Sequence, residues 1–269
     1  MAIRDITLGQ YYPAESAVHR LDPRTKILGT LVFLVSLFLV NNFTGFAFAA
    51  MFLAIVIRIS GIPFRFMSRG LKPIIFLIVL TVAINMFSTP GTVIWSWWKL
   101  SLTYEGVLRA VFMALRLVML IFGSSLLSLT TKPIQLTDGM EAYLAPFAKI
   151  GLPSHEIAMM LSIALRFIPT LLEETDKIMK AQTARGADFE SGRLRDRARA
   201  LVPLLVPLFV SAFRIAGDLA MAMEARCYHG GKGRTRMNGM KFGRSDLVAV
   251  IILVLFVSAT LVIRKLPVF

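Results

Sequence analysis

The chain is short of the residues from which soluble catalysts are built. Its 269 residues include one cysteine, Cys227, which excludes an internal disulfide framework. The three histidines, His19, His155 and His229, stand too far apart in sequence to suggest a local metal site. Charged side chains make up only 17% of the chain, against about 25% in an ordinary soluble domain. Acids are the scarcer sign, with 16 Asp+Glu to 30 Lys+Arg. Apolar side chains are abundant instead: 56% of residues are hydrophobic and the mean hydropathy is +0.69. That balance excludes intrinsic disorder and a water-soluble enzyme together, because lipid must do part of the solvating.

The apolar runs place the spans. Ile27 to Val40 is broken by Asn41 and Asn42 and resumes from Phe43 to Ile57. Neither piece alone reaches the roughly 20 residues of a crossing, and together they exceed one. They read as two helices, at about 24–41 and 44–61, with the Asn pair and Gly45 as the turn. Pro73–Phe87, Val107–Leu129 and Leu247–Ile263 complete five spans. The basic residues alternate with them. Four lie before span one (Arg4, Arg20, Arg24, Lys26), four in the 58–72 connection (Arg58, Arg65, Arg69, Lys72) and seventeen in 131–246. The other side holds Lys99 in the 88–106 loop and Arg264 and Lys265 at the end. Positive charge collects on cytoplasmic loops, so the N-terminus is expected inside and the C-terminus outside, with Trp95, Trp97 and Trp98 at the outer interface. The net charge of +14 is thus topological, and no nucleic-acid motif accompanies it. No cleavable leader is expected, since acidic residues precede the first apolar run.

The segment 131–246 is too apolar for a solvated loop and too charged for lipid throughout. Ile157, Leu161, Ala164, Leu165, Ile168, Leu172 and Met179 recur at three-and-four spacing, opposite Glu173, Glu174, Asp176, Lys177 and Lys180. This predicts a helix from Pro153 to Gly186 that Ser154 can cap, bent at Pro169 and laced by the i, i+4 pairs Glu173–Lys177 and Asp176–Lys180. Leu201, Leu204, Leu208, Ala212, Ile215, Leu219 and Met223 predict a second rod over about 195–227, kinked at Pro203 and Pro207. A shorter helix, Ile134 to Lys149, precedes both. Three amphipathic helices in a row must bury their stripes on one another, on the membrane or on a partner.

Both rods end alike, in Ala184-Arg185-Gly186 and Ala225-Arg226-Cys227. One reading is an arginine complementing the helix dipole, worth about 0.3–1 kcal/mol. The other is docking, in which an arginine between small residues pushes its planar fork into a groove on another protein. Placement at both rod ends favours docking. Weaker candidates inside span four are Arg109, which near the span end can snorkel to the interface, and Arg116, divided between bundle architecture and partner contact; Asn85 in span three is positioned to hydrogen-bond across helices. The Gly230–Thr235 stretch has the wrong spacing for a phosphate loop. No paired acids, nucleophile with its base, or H-E-x-x-H set lies in the spans, so no catalytic, metal or cofactor-binding residue is assigned.

Several segments together resemble the transmembrane T component (EcfT family) of energy-coupling factor (ECF) transporters, ABC-class importers of vitamins and metal ions. They are His19-Arg20-Leu21-Asp22-Pro23-Arg24-Thr25-Lys26, Arg69-Gly70-Leu71-Lys72-Pro73, Thr89-Pro90-Gly91, Pro133-Ile134-Gln135-Leu136-Thr137-Asp138-Gly139 and the two arginine triplets, the second departing from Ala-Arg-Gly at Cys227. The resemblance implies an all-α membrane protein with about five transmembrane helices, and three amphipathic cytoplasmic coupling helices between spans four and five. Its parts would be residues 1–130, the coupling region 131–246, and 247–269. It implies a non-catalytic permease subunit of a prokaryotic cell membrane. Two ABC ATPase subunits, which use the ATP, would dock on Ala184, Arg185, Gly186, Ala225, Arg226 and Cys227 at the ends of crossed helices. A small membrane substrate-binding S component would be gripped by the spans. The alternative is a membrane scaffold that binds cytoplasmic proteins without a transport cycle.

Overall fold

The computed structural model describes residues 11–97, 100–151, 153–187, 189, 194–230 and 239–264. The fold is all-α in its framework: α1 (Pro23–Leu39), α2 (Phe43–Ser60), α3 (Phe64–Arg69), α4 (Ile75–Ser88), α5 (Tyr104–Thr130), α6 (Pro133–Leu144), α7 (Ser154–Ala184), α8 (Leu194–Ala225) and α9 (Arg244–Arg264). The loop between α4 and α5 adds an element the sequence does not announce. It is an antiparallel hairpin of β1 (Val93–Trp97) and β2 (Leu100–Thr103), with Val93 opposite Thr103 and Trp97 opposite Leu100 and a register shift between Val93 and Trp95. Trp98 and residues 231–238, which hold most of the glycine-lysine stretch, lie outside the described residues.

Among the described residues six stretches are long and apolar enough to cross a membrane: Phe43–Ser60, Phe64–Ser88, Tyr104–Thr130, Ser154–Ala184, Leu201–Ala225 and Arg244–Arg264. Two of these belong to α7 and α8. The first helix, α1, has only 17 residues. The third span is interrupted, because Gly70 ends α3 and Lys72–Ile74 make one tight turn at Pro73 before α4 begins. Gly70 sits where α5 comes close; a Cβ there would lie 2.9 Å from the Ser125 hydroxyl.

The chain forms two compact units, one of residues 9–139 and 239–269 and one built on residues 140–238. In the first, α1 packs on α5 and α9, and α2 packs on the same two helices. Phe33, Leu37, Phe46, Leu53, Met119 and Phe256 are buried at the centre, with the Phe52 and Phe256 rings stacked at 4.3 Å. These apolar contacts leave the helix ends to be satisfied by polar groups.

The entry to α1 is one such place. Asp22 caps the helix by accepting from the Arg24 N–H at 2.9 Å, with Pro23 at the first position, where no N–H is needed. The Asp22 N–H donates to Asp246 Oδ1 at 2.8 Å, while Asp246 Oδ2 accepts from the Gly243 N–H at 2.9 Å. Buried Lys26 donates through Nζ to the carbonyls of His19 (2.9 Å) and Thr130 (3.0 Å). The 19–26 segment is therefore a polar clasp joining the start of α1, the end of α5 and the start of α9. Within it the His19 ring bonds Ser16 Oγ through Nδ1 (2.7 Å) and the Tyr12 carbonyl through Nε2 (3.1 Å). Burial pushes the His19 pKa below 6.5 against the contrary pull of the Tyr12 carbonyl, and the Lys26 charge pushes the same way as burial.

The far end of α1 stops in apolar surroundings. Seventeen residues rise about 25 Å, less than the roughly 30 Å hydrocarbon core, so the last carbonyls end where water is scarce. Arg116 of α5 meets them. Its Nη2 donates to the Val40 carbonyl at 2.9 Å and its Nε to the Leu37 carbonyl at 3.2 Å, and the guanidinium lies over Phe38 and Phe46. Of the two roles open to Arg116, the structure gives it the architectural one. Arg109 is exposed on the second turn of α5. Asn85 turns back on its own helix, donating to the Thr81 carbonyl at 2.8 Å, which replaces the expected bond across helices. An adjacent i−4 carbonyl is nearer than any neighbouring helix.

In the second unit α7 packs along α8. The shorter helix expected before them ends at Leu144, and Ala145–Ile150 continue as 3₁₀ turns to Gly151, whose φ of 92° only glycine adopts readily. Ser154 does not cap α7: it is the first helical residue, Pro153 precedes it, and no side-chain cap bond forms. The ion pair on the polar face is Glu174–Lys177 at 3.6 Å, an i, i+3 pair in place of the expected Glu173–Lys177. Both spacings bring side chains together on a helix, so the sequence alone did not separate them.

Candidate docking site at two helix ends

The candidate site is a pair of helix ends, and the backbone makes them the same object. Ala184 is the last residue of α7, Arg185 the half-in residue beyond it and Gly186 the next, at φ 90°. The Gly186 N–H donates to the Thr183 carbonyl (2.9 Å) and the Ala187 N–H reaches back to the Gln182 carbonyl (3.0 Å). That double closure is a Schellman turn. At the end of α8, Ala225, Arg226 and Cys227 hold the equivalent places. The Cys227 N–H donates to the Glu224 carbonyl (2.8 Å) and the Tyr228 N–H to the Met223 carbonyl (3.0 Å). Cys227 sits at φ 57°, the one non-glycine residue with positive φ among the described residues. The departure from Ala-Arg-Gly is therefore a change of residue within an unchanged turn.

The geometry aims both arginines outward. A residue at this position has left the helical ladder, so its side chain projects beyond the last turn. Arg185 and Arg226 are exposed, as are Ala184, Gly186, Ala225 and Cys227. Exposure leaves the planar fork of each guanidinium, with its five donors, open to solvent. The small residues on both sides leave room for a partner's backbone to approach. Nothing would crowd even a Cβ at Gly186, where no atom lies within 4 Å.

The two ends are far apart along α8. Gln182, one turn before Arg185, donates its side-chain Nε2 to the Pro203 carbonyl at 3.4 Å. Arg226 lies about 23 residues beyond Pro203, or about 34 Å at helical rise. One groove on one partner cannot hold both. The Gln182 contact had no motif to reveal it; its only trace in the sequence is Pro207, which leaves the carbonyl four residues earlier without its donor.

The first half of α8 carries a further feature. Val202, Val206, Phe209 and Phe213 repeat at helical spacing and each is more than half exposed, Phe213 at 75%. Leu204 is buried and Leu208 half-buried on another side. α8 is thus apolar on two faces and buries one of them within its unit. Among the described residues no group of three or more His, Cys, Asp or Glu is close enough to hold a metal ion.

Residues 14–237 match the CbiQ family, described as cobalt transport protein. The chain is 59% identical over 249 residues to the energy-coupling factor transporter transmembrane protein EcfT of Thermosediminibacter oceani, covering 93% of this chain and 94% of that protein. It is 54% identical over 264 residues to the protein of the same name from Clostridium kluyveri, covering 97% and 98%. With that of Bacillus subtilis it shares 46% over 258 residues, covering 96% and 97%.

Proposed function

The chain belongs to the EcfT family of energy-coupling factor transporter transmembrane proteins, and on that premise we propose that it is the lever of the transporter, passing the motion of two ATPase subunits to a separate S component. The observation that carries the reading is the pair of identical Schellman turns, each presenting an exposed arginine. Arg185 enters a groove on one ATPase and Arg226 a groove on the other. Their separation along α8 suits two docking sites. ATP bound by the ATPases draws them together, and α7 and α8 carry that displacement inward as stiff rods. The exposed apolar face of α8 from Val202 to Phe213 is a contact for the S component, which selects a vitamin or a metal ion. The chain itself hydrolyses nothing. The N-terminus and the α6–α8 region lie on the cytoplasmic side, where ATP is, and the C-terminus lies outside.

The test is co-expression with candidate ATPases and S component, purification in detergent and composition by native mass spectrometry. The expected complex holds two ATPases and one small hydrophobic protein. Arg185→Glu and Arg226→Glu should each leave the chain in the membrane and abolish ATPase co-purification or uptake, since breaking a desolvated charge contact costs about 2–5 kcal/mol. Normal uptake by both variants refutes the docking assignment. ATPases bound to a complex that never moves substrate identify a scaffold instead.

A further inference from the structure

We propose that Gln182 is a positioning residue that fixes the crossing of α7 on α8 by taking the one helix carbonyl that Pro207 leaves open. Proline has no N–H, and its ring pushes the carbonyl four residues earlier away from the helix axis. For Pro207 that carbonyl belongs to Pro203, within a stretch apolar enough to cross a membrane. The carbonyl is exposed, so a donor from the neighbouring helix competes there with water and is worth what a net hydrogen bond is worth. Gln182 Nε2 supplies it, at 3.4 Å. Carbonyls elsewhere along this stretch are occupied by the helix's own ladder, so the bond discriminates among registers; the other open carbonyl is that of Arg199, one turn earlier, freed by Pro203.

The same residue is tied into the arginine turn. The Gln182 carbonyl accepts from the Arg185 N–H (3.0 Å) and from the Ala187 N–H (3.0 Å), so its main chain closes the cap that aims Arg185. Its side chain holds α8. Motion of the first helix end is thereby delivered to α8 at Pro203 and is not absorbed by slippage between the rods. This inference rests on the reading of α7 and α8 as transmission helices.

The test is a double-mutant cycle in the reconstituted transporter with its ATPases and S component. The variants are Gln182→Leu, Pro207→Ala and both together, with uptake per ATP hydrolysed as one readout. The second readout is the distance distribution between spin labels at Glu173→Cys and Asp218→Cys, two exposed positions, in separate samples with Cys227→Ser for labelling, while uptake is read with Cys227 in place. Each single variant should lower uptake per ATP by about two- to tenfold, the factor a net hydrogen bond supplies, and broaden the distribution. The double variant should be no worse than the poorer single one, since both remove the same bond. Gln182→Glu, the same shape without a donor, should behave as Gln182→Leu, and Gln182→Lys, with a donor of similar reach, should recover coupling. Additive losses in the double variant overturn the latch, as does a wild-type distance distribution in Gln182→Leu. Retention of the ATPases by Arg185→Glu and Arg226→Glu speaks against the docking reading and leaves that distance criterion intact, so the two failures are separable.

Discussion

Replacing Arg116 by methionine tests the account of how α1 ends. The substitution keeps length and apolar bulk and removes two charge-assisted hydrogen bonds, to Val40 and Leu37, together with the stacking on Phe38 and Phe46. A hydrogen bond to a charged group is worth about 1.5–3 kcal/mol in water-soluble proteins. Those measured between membrane helices are smaller, about 0.6 kcal/mol on average and about 1.7 at most, because the unfolded chain in lipid also finds partners. Two bonds and a cation–π contact of about 0.5–1 kcal/mol then sum to about 2–4 kcal/mol. Against this, methionine inserts into lipid more easily than arginine, by about 2.5–3.5 kcal/mol on insertion scales. That gain acts on the folded and the unfolded inserted chain alike and cancels in the folding equilibrium. Arg116→Met should therefore reach the membrane in normal amount and unfold about 2–4 kcal/mol more easily in a reversible assay in bicelles. Arg116→Lys, whose single ammonium lacks the planar fork, should recover about half. A stability for Arg116→Met within about 0.5 kcal/mol of wild type would refute the capping argument, since surface changes alone stay in that range.

Further outcomes follow from described contacts. Cys227→Gly should stabilise the end of α8 by about 1 kcal/mol, by relieving a left-handed backbone, while Gly186→Ala should cost the end of α7 a similar amount; amide exchange at the turn residues reports both. Asp246→Ala strands the buried Asp22 N–H and should lower unfolding free energy by about 1–3 kcal/mol, with Asp246→Asn, which keeps one carbonyl acceptor, milder in the same thermal melt. Because burial lowers the His19 pKa below 6.5, the unfolded chain binds the proton more readily, so stability should fall as pH drops below about 6.5; a His19→Gln melt series that keeps the same slope would contradict this.

Much of the fold was legible because it is written in long-range composition. Apolar runs, the alternation of basic residues and three-and-four spacing all average over many residues, so the helices and the paired arginine ends follow from them. The misses are single-atom choices. Asn85 finds a partner within its own helix, Lys177 chooses Glu174 over Glu173, and Ser154 begins a helix it was expected to cap. Each outcome differs from its alternative by one rotamer or one residue of register, which periodicity cannot resolve. The hairpin at 93–103 was hidden for another reason: four- and five-residue strands beside tryptophans look like any interfacial loop. The polar clasp was visible as the His19–Lys26 motif, but its partners Thr130 and Asp246 are more than a hundred residues away.

The place where α7 meets α8 gives the two rods very unequal arms. Arg185 stands three residues past Gln182, about 5 Å, while Arg226 stands about 34 Å from Pro203. Rotation about that junction sweeps the distal arginine through an arc several times longer than the proximal one, as the handle of a nutcracker outruns its hinge. On the proposed docking, a motor subunit on the long arm would set the stroke, and one on the short arm would mainly bear the reaction force. Two such motors would not be mechanically interchangeable, even if their nucleotide chemistry were the same.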